Sequence, residues 1–188
     1  MRELLTCDAN HVYWRGDHRE VGTNEILNLY FPPTPFYSEE GRETGTARHA
    51  WFGFLAKGLE PSEEPNPRIA GAVAGFRKFL AEVKPVYRGG EEPFYDPILQ
   101  VCGTPDWYGD ILGVHSVLDF KPATANKRTP LQLAAYKLNL MANNIPIVNR
   151  YELRLLDGDY RLIPHTDRDN ETHWKVMVAA FFAATHYK

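Results

Sequence analysis

The chain has 188 residues, 44% of them apolar and 24% charged, with a formal charge of −3. That length holds one domain with a substantial core, and the charge argues against a protein that coats polyanions through a global basic field. The two cysteines, Cys7 and Cys102, exclude a four-cysteine zinc or iron–sulfur centre.

Val12-Tyr13-Trp14 before Arg15-Gly16-Asp17 reads as a strand entering a turn. Thr23–Tyr30 reads as a short helix capped by Thr23. The prolines of Phe31-Pro32-Pro33-Thr34-Pro35-Phe36-Tyr37 forbid helix or central strand. That loop either packs back on the domain or offers an aromatic wedge to a base. Thr44–Lys57 is predicted helical, entered through Thr44 or Thr46 and stopped by Gly58, with His49, Phe52 and Ala56 on one face.

An acidic, proline-rich loop over 59–67 leads to a second helix, capped by Asn66 and opened by Pro67. Its stripe is Ile69, Val73, Phe76, Leu80 and Val83, and Pro85 ends it. Pro93–Cys102, Trp107–Leu112 and His115–Phe120 read as three strands of an antiparallel meander. Thr129-Pro130 caps a helix to about Met141 with Leu131, Ala134, Ala135 and Leu138 inward. A hairpin over Tyr151–Leu156 and Tyr160–Pro164 precedes a closing helix from Asp169, with Trp174, Met177, Val178, Phe181 and Phe182 inward. The expected architecture is α/β or α+β, a mixed sheet flanked by helices. The expected division is a core over 44–188 and an N-terminal extension over 1–43 packing near a cleft.

The chemistry concentrates between Gly103 and Tyr136. Strand alternation puts Asp119 and Lys121 on one face while Leu118 and Phe120 pack on the other. An Asp-x-Lys triplet occurs by chance roughly once in a chain of this composition, so its context carries the weight. If 107–112 and 115–120 pair as a hairpin, Asp106 comes opposite Asp119 at the open end. Two carboxylates that close repel unless a cation separates them, and Mg²⁺ suits such a site. Asp106 in Gly-Thr-Pro-Asp is otherwise an ordinary turn residue. Gln132 and Tyr136, one helical turn apart, either line the same cleft or form a solvated stripe with a core tyrosine. His49 is either a structural histidine or a metal ligand. The loop 121–128, ending in Lys127-Arg128, is either solvated or holds phosphate.

At these residues the sequence resembles the PD-(D/E)XK nuclease superfamily, in particular its RecB-type and phage exonuclease branch. Pro105-Asp106 and Asp119-Phe120-Lys121 match the family signature, and Gln132 to Tyr136 matches the QxxxY motif that follows it. Gly45-Thr46-Ala47-Arg48-His49 resembles the upstream histidine motif, and Val21 to Leu27 is weakly similar to a further one. The resemblance runs from about residue 20 to the C-terminus. It implies a restriction-endonuclease-like core and hydrolysis of DNA phosphodiester bonds with Mg²⁺, for which Mn²⁺ substitutes. It implies His49, Asp106, Asp119 and the Phe120 carbonyl as metal ligands. Lys121 would polarise the phosphate or position water, and Gln132 and Tyr136 would support the site. Glu91 or Glu92 falls roughly where some members carry an extra acid, but the spacing there is slack and neither is assigned.

The expectation is an exonuclease of recombination, repair or phage DNA processing, without an iron–sulfur cluster. Its partners would be DNA and either further copies of itself or a recombination protein. Rival readings are a junction resolvase on the same site, a nucleic-acid-binding protein that keeps the fold without catalysis, and a two-carboxylate glycosidase. No stretch approaches 18 consecutive apolar residues and residues 1–8 hold no apolar leader core, which predicts a cytoplasmic protein away from membranes.

Overall fold

The structure, a computed structural model, describes residues 4–8, 12–32, 39–124 and 126–186. Among them are two mixed five-stranded sheets and five helices. The chain begins with β1 (Leu5–Cys7), β2 (Tyr13–Arg15) and β3 (His18–Gly22), then α1 (Thr23–Tyr30), α2 (Glu39–Ala56) and α3 (Pro67–Val83). Next come β4 (Val86–Gly89), β5 (Phe94–Asp96), β6 (Val101–Gly103), β7 (Trp107–Ile111) and β8 (Val114–Lys121). Helix α4 (Thr129–Ala142), β9 (Asn149–Leu155), β10 (Tyr160–Pro164) and α5 (Asp169–His186) complete it.

The first sheet has the order β1-β2-β3-β6-β5 and the second β10-β9-β8-β7-β4. In the second, β7 and β8 form a hairpin whose two-residue turn holds Leu112 and Gly113 at φ 52 and 77. Positive φ at both centres matches the right-handed twist of the flanking strands. Helix α4 then carries the chain across so that β9 runs parallel to β8, and β10 folds back antiparallel.

The alternation of β8 divides the protein. Leu118 and Phe120 enter an aromatic core beneath α2 and α3, with Phe52, Phe76 and Trp107. Val117 faces the opposite side, against Leu133, Tyr136 and Leu140 of α4. A third cluster joins α1, α4 and α5 through Ile26, Leu27, Ala134 and Trp174.

Several expectations need correction. Pro93–Cys102 is not one strand of a meander: Pro97 interrupts it, and the resulting β5 and β6 belong to the other sheet. The strand beside β7 is β4, which the sequence reading missed. Helix α2 starts at Glu39, not Thr44, so the expected 43/44 boundary falls inside a helix. Thr23 does not cap α1; its hydroxyl donates to the Cys102 carbonyl at 2.8 Å and ties α1 to β6. Thr129 makes no side-chain cap either. Asn66 does cap α3, its Oδ1 accepting from the Arg68 N–H at 3.0 Å. The inward stripe of α3 includes Phe79, while Leu80 and Val83 are only partly buried. Helix α4 is buried on two faces, which adds Leu133, Tyr136 and Leu140 to the expected stripe. Of the aromatic-proline loop, Phe31 packs against the α1–α5 cluster, and positions 33–37 lie outside the described residues. Among the described residues no helix is long and apolar enough to cross a membrane.

Candidate metal centre

The hairpin register, Trp107 opposite Leu118, sets Asp106 beside Asp119 at its open end. Asp106 Oδ2 accepts from the Phe120 N–H at 2.7 Å, which fixes the carboxylate against the strand. A strand residue directs its N–H and C=O to one edge, so the Phe120 carbonyl faces the edge that Asp106 occupies.

His49 comes from the other side of the sheet. Its ring meets the edge of Phe120 at 5.8 Å, a contact that anchors the imidazole on the aromatic core. Nδ1 lies 3.0 Å from Glu91 Oε1 and 3.6 Å from Asp106 Oδ1. Each of His49, Glu91 and Asp106 offers one ligand atom, and the three atoms lie within 4.8 Å of one another.

Glu91 is the residue that the sequence reading left out. It holds a left-handed backbone at φ 58, uncommon for a residue with a side chain, and its N–H donates to the Pro105 carbonyl at 2.8 Å. The preceding Gly90 allows this approach, because a Cβ there would stand 2.3 Å from the Asp106 carbonyl oxygen. The neighbouring Glu92 is committed elsewhere, accepting from the Tyr108 hydroxyl at 2.6 Å. The signal available beforehand was an acidic pair after Gly-Gly, and only the loop geometry separates the two.

Asp119 is 1% exposed. Its Oδ2 sits 2.5 Å from Lys121 Nζ, yet neither carboxylate oxygen accepts a hydrogen bond of sound geometry. Lys121 donates to Gln132 Oε1 at 3.1 Å, and the Gln132 amide donates to the Tyr136 hydroxyl at 2.8 Å. Gln132 and Tyr136 are buried, so they are an interior chain and not a solvated stripe. All the residues predicted for the site thus converge here, with Asp119 set deeper than the His49–Glu91–Asp106 group.

The electrostatics record crowded negative charge. Burial pushes the Asp119 carboxyl up to about 7; Lys121 opposes this and Asp106 reinforces it. Burial also raises Asp106, against the pull of His49. Asp106, with Glu91 and Asp119, raises His49 to about 9 despite its partial burial. Burial alone would lower Lys121, but Asp119 and Asp106 outweigh it and the net direction is upward. Three carboxylates against one lysine and one imidazole leave an excess that a divalent cation relieves. An imidazole, hard carboxylate oxygens and a buried carboxylate without aligned donors fit Mg²⁺ or Mn²⁺ better than a soft ion. The mouth of the site is the His49–Glu91 side, where the side chains are 37% and 42% exposed.

Fold and site together define an α+β protein with a candidate divalent-cation centre at the open end of a hairpin. The sequence matches no protein-family model and no curated protein.

Proposed function

We propose that this chain is a Mg²⁺- or Mn²⁺-dependent DNA nuclease of the PD-(D/E)XK kind, acting as an exonuclease. The observation that carries the reading is the convergence of the His49, Glu91 and Asp106 ligand atoms within 4.8 Å beside the Asp119–Lys121 pair. Two carboxylates of a glycosidase would give Lys121 and His49 no task; phosphodiester hydrolysis uses both.

His49, Glu91, Asp106 and Asp119, with the Phe120 carbonyl, are the groups that would hold the ion. Bound there, it would supply Lewis acidity toward a phosphate oxygen and ease the deprotonation of water. Lys121 donates to a phosphate oxygen on which negative charge builds in the transition state. It is held for this between Asp119 and Gln132. Tyr136 fixes the Gln132 amide so that its carbonyl, not its NH₂, meets the ammonium. Burial holds the Asp119 carboxyl up to about 7 without the ion, and a bound cation would favour its carboxylate form. Arg128 lies close enough to Lys121 to act on its charge, and it is tethered to Asn24 and Asn28 at 2.7 and 2.9 Å.

Labelled linear and closed circular DNA incubated with Mg²⁺, Mn²⁺ or EDTA tests the proposal. Linear DNA should be degraded with either metal and spared in EDTA. Asp119→Ala should slow degradation by about 10²–10³-fold or more. Metal-independent cleavage, or full activity in Asp119→Ala, overturns the reading. Cutting of closed circles would favour the endonuclease alternative.

A further inference from the structure

The acid–base pair of β8 is repeated on its neighbours. The parallel register sets Asp119 opposite Glu152 and Lys121 opposite Arg154, and the antiparallel register sets Arg154 opposite Arg161 of β10. Paired residues share a face, with backbones about 4.8 Å apart. The alternate positions Leu118, Phe120, Leu153 and Leu162 pack into the aromatic core. Lys121, Arg154 and Arg161 therefore stand in one row on the opposite face, leading from the candidate metal centre to the β10 side.

Like charges directly opposite each other on a sheet destabilise it, and this row sets three cations side by side. Glu152, 1% exposed, accepts from Arg154 Nε at 2.5 Å and from His165 Nε2 at 3.1 Å. A buried ion pair of this type seldom stabilises a protein more than apolar packing does, so stability alone does not account for it. Its structural effect is orientation. Glu152 pins Arg154 by Nε, and the two terminal nitrogens make no hydrogen bond to any described residue. Neither terminal nitrogen is a buried atom lacking a partner, and the side chain is 20% exposed, so the fork reaches solvent. Lys121 emerges beside it at 16%. Arg161 is exposed; its side chain makes no hydrogen bond or ion pair among the described residues, and the charge it feels on its own strand end is that of Asp159.

We propose that Lys121, Arg154 and Arg161 form a track for the phosphodiester backbone of DNA, which leaves the reacting phosphate at Lys121 and crosses β9 and β10. The proposal rests on the nuclease reading for its direction. The free fork of Arg154 makes a bidentate contact with one phosphate, a geometry lysine cannot reproduce, and Arg161 contributes a point charge farther out.

The test is binding of a fluorescent duplex oligonucleotide in EDTA, followed by anisotropy across a KCl series. Arg161→Ala and Arg154→Ala should each weaken binding several-fold and flatten the slope of log affinity against log salt by about 0.9, one phosphate's share. Arg154→Lys should keep the slope but lose affinity, because only the fork is gone. In cleavage assays the variants should raise KM more than they lower kcat. Arg161 is exposed, so its variant reports even if Arg154→Ala unfolds. Unchanged slopes in a cleaving enzyme overturn the track alone. Flattened slopes in a protein that never cleaves overturn the nuclease reading and keep the track. A wild-type protein that does not bind DNA overturns both.

Discussion

Asp119→Asn should stabilise the metal-free protein at pH 8 while removing its response to Mg²⁺. The carboxyl is 1% exposed and raised from 3.8 to about 7, chiefly by burial and despite Lys121. At ~1.36 kcal/mol per pH unit, the ionised group costs the metal-free fold about 4 kcal/mol. That figure already contains the attraction of Lys121, so the loss of that pair is not subtracted again. The asparagine amide inherits a pocket in which neither oxygen had an aligned donor, and an unsatisfied buried polar group costs about 1–3 kcal/mol. The net gain is therefore about 1–3 kcal/mol, or about 2–4 °C in Tm for each kcal/mol at this size.

An acid whose folded pKa is raised loses stability as pH climbs from its unfolded value to its folded one. Near pH 4 only the cost of the amide remains and the variant is the less stable protein; its advantage appears as pH climbs and is complete above about pH 7. Saturating Mg²⁺ inverts the order, since an ion at about 1,000 times its Kd stabilises the wild type by about 4.1 kcal/mol. Thermal unfolding followed by circular dichroism, in EDTA and in Mg²⁺ between pH 4 and 8, reads all of this. A variant less stable than wild type in EDTA at pH 8 would refute the argument that this carboxylate is held at a cost.

The remaining predictions concern the supports of the site. Gly90→Ala should reduce Mn²⁺ affinity by about five-fold or more in a calorimetric titration. Its Cβ would meet only backbone, the Asp106 carbonyl at 2.3 Å and Trp107 Cα at 3.0 Å, so relief displaces a ligand-bearing segment and costs about 1–3 kcal/mol. Wild-type affinity in that variant would detach the Gly90–Glu91 turn from the metal site. Tyr136→Phe removes the hydroxyl that accepts from the Gln132 amide. A hydrogen bond of about 1 kcal/mol predicts a several-fold drop in kcat with little change in DNA affinity, and an unchanged kcat would deny Tyr136 a positioning role.

What could be read beforehand was local. Asp119 and Lys121 share a face because strands alternate, and Gln132 and Tyr136 meet because a helix returns after four residues. Asn66-Pro67 marked a helix start for the same reason. The readings that failed needed information from distant chain. Whether Pro93–Cys102 continued one sheet or joined another depended on β3, whose parallel pairing with β6 no local pattern announces. Thr23 carried a cap signature, yet the nearby Cys102 carbonyl offered its hydroxyl a buried partner instead.

Glu91 shows the same limit in the site itself. Its side chain reaches His49 because a left-handed residue turns the chain immediately after a glycine pressed on Asp106. Glu92, chemically identical and one position on, bonds Tyr108 instead. Composition and spacing cannot separate two adjacent glutamates; only the sign of one φ angle does. Arg154 and Arg161 were hidden for a related reason. Each is an ordinary strand arginine until the β8–α4–β9 crossover sets its register against Lys121, and a slip of one residue would turn both toward the aromatic core. The charge pattern of this surface is thus a property of pairing register, and register is fixed by the apolar residues on the far face.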